Sequence, residues 1–178
     1  DEAGYPRGQG GIRFSLTIDA SNLGEQPVRA AEYMREQFRE IGVQAEVRIS
    51  DPGAYVTRIY TERDFDLSIF YGSAGADPAI GVHRFYWSAN IRDGVPYSNG
   101  SGYSNPEVDA ILEAASVEVD LDRRKQLYLD FQRKVMEDIP TIPLCSAARI
   151  TICRAEVKDH TIGAIGAYGN LASAWLDR

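Results

Sequence analysis

Hydrophobic and polar positions along the first 71 residues change period four times, and each change marks an element. From 13 to 19, Phe14, Leu16 and Ile18 alternate with Arg13, Ser15 and Thr17, the period-two pattern of a strand with one buried face. After a loop at 20–26, Val28, Ala31, Met34, Phe38 and Ile41 recur at helical spacing, so 27–41 is predicted as a helix that Gly42 stops. Alternation returns at 43–50, with Val43, Ala45, Val47 and Ile49 on one face and Gln44, Glu46 and Arg48 on the other. Asp51-Pro52 then opens a helix, since the carboxylate caps free amides and proline at the first position loses no hydrogen bond. That helix is predicted to run to about Glu62 and to bury Tyr55, Val56, Ile59 and Tyr60. The run FDLSIFY, 65–71, is a third strand.

Strand, helix, strand, helix, strand in that order predicts an α/β fold with a parallel β-α-β-α-β sheet core, right-handed crossovers and flanking helices. The loops 19–26, 50–53 and 71–78 then leave the sheet at one edge. Ligands of open α/β sheets bind outside the carboxyl ends of the strands, so this edge is the predicted crevice.

Beyond residue 78 the pattern weakens. A short helix is expected at 80–86 and a Gly/Pro/Asn/Ser-rich loop at 88–102. Its aromatics Tyr86, Trp87, Tyr97 and Tyr103 either face a ligand or staple the loop to the core. Ser104 and Glu107 have capping-box spacing ahead of a helical stripe of Val108, Ile111, Leu112 and Ala115. A further helix starts at Asp120, runs through Leu127, Tyr128, Phe131 and Val135, and is ended by Pro140 and Pro143. The runs 142–145 and 150–153 are strand-like. The tail holds Gly163, Gly166 and Gly169 without the strand, helix and acid that a phosphate loop requires.

Length and composition narrow the classes. With 178 residues, 44% of them hydrophobic, the chain makes one ordinary domain or one lobe of something larger. A net charge of -7 argues against nucleic-acid or anionic-membrane partners, which need a basic patch. Cys145 and Cys153 lack metal-ligand spacing and are either unrelated packed thiols or a single local disulfide. No stretch approaches the ~18 apolar residues of a membrane span. The opening DEAGYPRGQGG looks like the tail of a helix followed by a Gly/Pro turn, with no signal peptide at the start, so the chain is expected to be a fragment or a processed piece.

Catalytic chemistry is thinly supplied. Only His83 and His160 are available as imidazoles, neither in a local motif, and no cofactor or metal set is expected. Asp77 alone sits at the crevice edge, as an Asp-Pro turn former or as a polar ligand contact, while Asp64 and Asp66 precede their strand. The enzymatic alternative is a small hydrolase-like α/β protein using Asp77 and His83.

Four segments in order, FDLSIFYGSAGADP (65–78), GYSNPEVDAILEAA (102–115), DRRKQLYLDFQRKVMEDIPTIPL (122–144) and RAEVKDH (154–160), resemble extracellular solute-binding proteins of family 5. These are the peptide, opine and nickel binding components of ABC importers. The resemblance implies one lobe of a type II periplasmic binding fold, here 1–148, with a tail, 149–178, that returns to a missing amino-terminal lobe. It also implies a non-enzymatic clamp, located in the periplasm or outside the cell, that delivers an oligopeptide, opine or oligosaccharide to a membrane permease.

Expected ligand contacts are Ser21, Asn22, Leu23, Tyr71, Gly72, Ser73, Ala74, Asp77 and Trp87, with the wall extending to Gly24 and Asn90. Dipeptide-binding relatives carry an aspartate three residues after the strand-end aromatic and an arginine after the first strand. Here those places hold Ala74 and the neutral run Ala20-Ser21-Asn22-Leu23. The expected ligand is therefore a longer peptide held by its backbone, or a neutral polyol or oligosaccharide stacked on Tyr71 and Trp87.

Overall fold

A computed structural model describes residues 4, 6–72, 75–146, 152–160 and 172–177. Contacts divide the chain into two compact units, Asp1–Gly72 with Ser88–Tyr103, and Ser73–Trp87 with Ser104–Arg178. The expected tail boundary at 148 lies outside the described residues.

In the first unit, β1 (Phe14–Ser21), α1 (Glu25–Glu40), β2 (Val43–Ser50), α2 (Pro52–Thr57) and β3 (Leu67–Ile69) follow the predicted alternation. The sheet is parallel, in the order β2-β1-β3, with Phe14 opposite Val43, Ser21 opposite Ser50, and Ile18 opposite Leu67. The chain moves from β1 outward to β2, then back past β1 to β3. With right-handed crossovers, that reversal puts the two connecting helices on opposite faces.

Side chains follow the period-two rule. Leu16, Ile18, Ala20, Ala45, Val47, Leu67 and Ile69 pack with Ala31, Met34 and Phe38 of α1. The intervening Asp19 faces the other way and meets Arg58, which follows α2.

Two predicted elements are shorter than expected, each for a local reason. Strand β3 spans Leu67–Ile69 rather than 65–71 because the Asp66 carboxylate accepts the Thr17 amide at 2.7 Å and its hydroxyl at 3.0 Å. A side chain thus takes the donor a longer ladder would have used. The helix predicted to Glu62 is α-helical only to Thr57 and continues as a π-turn, Arg58–Glu62, that ends in left-handed Arg63. Tyr55, Ile59 and Tyr60 form a second buried cluster there, against Val56 and Phe65.

The loop 88–103 is built around buried Asn99, whose side-chain amide donates to the Tyr103 carbonyl at 2.8 Å and accepts its amide at 3.1 Å. Gly100 lies under the Tyr60 ring, where a Cβ would come within 2.8 Å of it.

The second unit holds α3 (Pro78–Gly81), α4 (His83–Tyr86), α5 (Pro106–Val117) and α6 (Leu121–Asp138), then the antiparallel pair β4 (Val157–Lys158) and β5 (Trp175–Leu176). Helices α5 and α6 bury Val108, Leu112 and Ala115 and Tyr128, Phe131 and Val135, all on the predicted stripes.

Several expectations change here. The helix expected at 80–86 is broken at Val82 into α3 and α4. The cap of α5 is Asn105, which accepts the Glu107 amide at 2.9 Å, rather than Ser104, because Pro106 takes the first helical position. Residues 142–145 form no strand, since Pro140 and Pro143 supply no ladder donors. Of the run 150–153, residues 150 and 151 lie outside the described residues, as do Gly163, Gly166 and Gly169. Cys145 and Cys153 are free and exposed rather than packed. The β4–β5 pair, only two residues long on each side, had no periodicity to announce it.

Candidate functional site

Because the sheet is parallel, Ser21, Ser50 and Ile69 end their strands at one edge. The order β2-β1-β3 makes the space between β1 and β3 a topological switch point, the position at which α/β sheets take ligands. Five expected contacts gather there. Ser21 Oγ accepts the Leu23 amide at 3.2 Å, and the Asn22 amide donates to the Ser50 carbonyl at 2.9 Å, which binds this loop to the end of β2. Gly24, at a φ of 103, turns the chain into α1 and leaves Leu23 66% exposed.

From the other wall, Tyr71 follows β3, is 53% exposed, and donates its hydroxyl to Gln26 Oε1 at 3.0 Å. One aromatic therefore spans from the end of β3 to the first turn of α1. Gly72 is exposed beside it; Ser73 and Ala74 lie outside the described residues.

Asp77 and Trp87 belong to the second unit, in a different setting. Asp77 Oδ1 accepts the Ala79 amide at 2.8 Å and caps α3, while Arg124 donates to both carboxylate oxygens at 2.7 and 2.9 Å. The Arg124 hydrogen bonds first, and the Ala79 amide second, hold this carboxyl down to about 2. Arg124 is itself fixed by the Ala115 carbonyl at 3.0 Å and lies over the Tyr128 ring.

His83 is buried, with Nε2 at 3.2 Å from the Tyr128 hydroxyl, and its pKa is lowered by burial and then by the nearby Arg124 charge. Trp87 is half-buried and stands edge-on to His83, ring centroids 6.2 Å apart. The Tyr86 hydroxyl meets Thr141 Oγ1 at 2.7 Å, so this aromatic staples its loop. Asn90, the end of the expected wall, accepts the Asn99 amide at 3.0 Å and is tied to the anchored loop 88–103.

The group that sequence reasoning missed lies beneath the crevice. Asp19, 1% exposed, accepts from Arg48 Nη2 at 2.7 Å and Nε at 3.2 Å, and from Arg58 Nη1 at 3.0 Å. Arg58 also donates to Ser50 Oγ at 3.0 Å, and Arg48 to the Asp64 carbonyl at 2.6 Å. Hydrogen bonding to Asp19 raises the Arg48 pKa further. The network joins β1, β2, the π-turn and the approach to β3, which stiffens the strand ends. Its signal was available: Asp19 and Arg48 occupy the same place in their two strands, and the parallel register puts them opposite one another.

Chemically, the edge offers hydrogen bonds from Ser21, Asn22 and Gln26 and apolar surface from Leu23 and Tyr71. Among the described residues, no group of three or more His, Cys, Asp or Glu side chains is arranged to hold a metal ion.

No protein-family model matches the chain. Relatives and solved structures do. The glutathione-binding protein GsiB of Pectobacterium atrosepticum is 27% identical over 165 residues, taking in 82% of this chain and 28% of that protein. Heme-binding protein A of Haemophilus influenzae is 28% identical over 171 residues, taking in 93% of this chain and 29% of that protein. The chain thus spans under a third of the length of these relatives. The dipeptide-binding protein of Pseudoalteromonas sp. SM9913, solved in complex with Met-Leu, superposes with a TM-score of 0.76 at 26% identity, covering 99% of this chain and 34% of that one. In sequence and order of elements the chain is similar to these solute-binding proteins, and its fold is that of one α/β lobe of a periplasmic binding protein.

Proposed function

We propose that the chain is one jaw of a ligand clamp, part of the binding component that hands a peptide-like solute to the permease of an ABC importer. It works in the periplasm or outside the cell, against a second lobe of the same protein. The observation that carries this reading is Tyr71. A half-exposed aromatic laid across a topological switch point, with its hydroxyl held by Gln26, is a platform built where α/β sheets take ligands.

Ser21, Asn22, Leu23, Tyr71 and Gly72 make the contacts, continued by Ser73 and Ala74. In the second unit, Asp77 is held by Arg124 and caps α3, and Trp87 stands edge-on to His83. The lobe binds and releases without bond making. Asp77 is committed to Arg124 and Ala79, and His83 Nε2 to Tyr128, which leaves that pair poorly disposed to act as acid and base.

Tyr71→Ala tests the reading in the full-length protein. Calorimetric titration with peptides is expected to show about tenfold weaker binding, ~1.4 kcal/mol, with an almost unchanged thermal midpoint because Tyr71 is already half-exposed. Unaltered affinity would remove Tyr71 from the site.

A further inference from the structure

Charges near the strand ends are consistently spoken for. Asp19 lies under the switch point with its oxygens taken by Arg48 and Arg58, and Arg58 divides its remaining capacity with Ser50. With Asp64, which Arg48 also meets at 3.3 Å, the four charges sum to zero. Asp51 accepts the Gly53 and Ala54 amides as the cap of α2. Glu25 and Arg29 pair with each other at 2.7 Å, both 79% exposed, where water screens them from anything bound.

What faces outward is neutral: Asn22, Leu23, Gln26 and Tyr71 are exposed, with Ser21 half-buried beside Asn22. A terminal ammonium or carboxylate seated on this surface would lose water without gaining a counter-ion, a loss that stacking on one ring does not restore. An amide backbone loses nothing comparable, because Asn22, Gln26 and Ser21 offer both donors and acceptors, and an apolar side chain gains from Leu23 and Tyr71.

We infer that this lip receives an uncharged interior segment of a longer peptide, with both charged termini held elsewhere, rather than an end of a short zwitterionic one. This rests on the reading of this edge as the ligand-binding lip.

The experiment places charge on the lip. Full-length wild-type protein, Gln26→Glu and Gln26→Lys are titrated calorimetrically with an octapeptide of uncharged side chains in free, N-acetylated and C-amidated forms. Each variant is expected to weaken binding of all forms by the same factor, within about twofold. A tenfold gain by Gln26→Glu selective for the free amine, or by Gln26→Lys selective for the free carboxylate, would put a terminus on the lip and overturn the inference alone. Wild-type protein that binds no form, or variants that change nothing, would overturn the reading of the site and the inference with it.

Discussion

Asp19 and Asp77 are both clasped by arginine, and their surroundings make them different objects. Asp19, 1% exposed, sits inside the first unit between Arg48 and Arg58; Asp77, 39% exposed, sits in the second with Arg124 and a helix cap. For Asp19, desolvation is severe, and the ion pair is stable only because two arginines and their further partners satisfy every group. For Asp77, water remains close, and the fork-shaped contact matters for geometry more than for energy. The buried group braces the strand ends under the crevice; the exposed one sets where a loop ends and a helix begins.

The largest expected effect tests the buried member. Asp19→Ala leaves two arginines inside the unit without their acceptor and should cost about 3–5 kcal/mol, read as a lower denaturant midpoint. A loss below ~1 kcal/mol would mean that the arginines reach water when released, and the contrast would collapse.

An intermediate effect belongs to the second unit at low pH. The folded-state pKa of Asp77 is held down, so its stabilisation is complete above the ordinary carboxylate value near 4 and lost as pH falls toward about 2. His83 has a lowered pKa, so below about 6.5 the unfolded chain takes up a proton that the folded one resists, and stability declines there too. Unfolding curves across pH should show both slopes. Arg124→Ala should flatten the acid slope of Asp77 and His83→Gln the slope below about 6.5; an unchanged profile in Arg124→Ala would assign the acid loss to other carboxylates.

The smallest effect sharpens the contrast. Raising salt from ~0.1 to ~1 M shortens the screening length from about 10 to about 3 Å. The stability difference between wild type and Asp77→Asn should shrink with that change, while the difference for Asp19→Asn persists. Equal salt sensitivity at both sites would show that water reaches them alike.

The comparison also bears on what could be read in advance. The alternation Phe14, Leu16, Ile18 and the stripe Val28, Ala31, Met34, Phe38 announced β1 and α1 because each depends only on spacing along the chain. The placement of Tyr71 at the same sheet edge as Ser21 followed from the parallel order. Less was legible where the partner of a residue lies far away in sequence. Asp77 was legible as an Asp-Pro helix entry, and its clasp by Arg124, 47 positions on, was not. Asp66 in turn shortened β3 by reaching Thr17, 49 positions back.

By itself the sequence determined the succession of elements, the parallel sheet and the edge at which its strands end together, because helical and strand periods are local and right-handed crossovers leave few arrangements. The tertiary structure alone decided the return of Arg58 from the far face to Asp19 and the reach of Tyr71 to Gln26. Those outcomes depend on which side chains stand opposite once strands and helices are side by side, and spacing within one element carries no record of its neighbour.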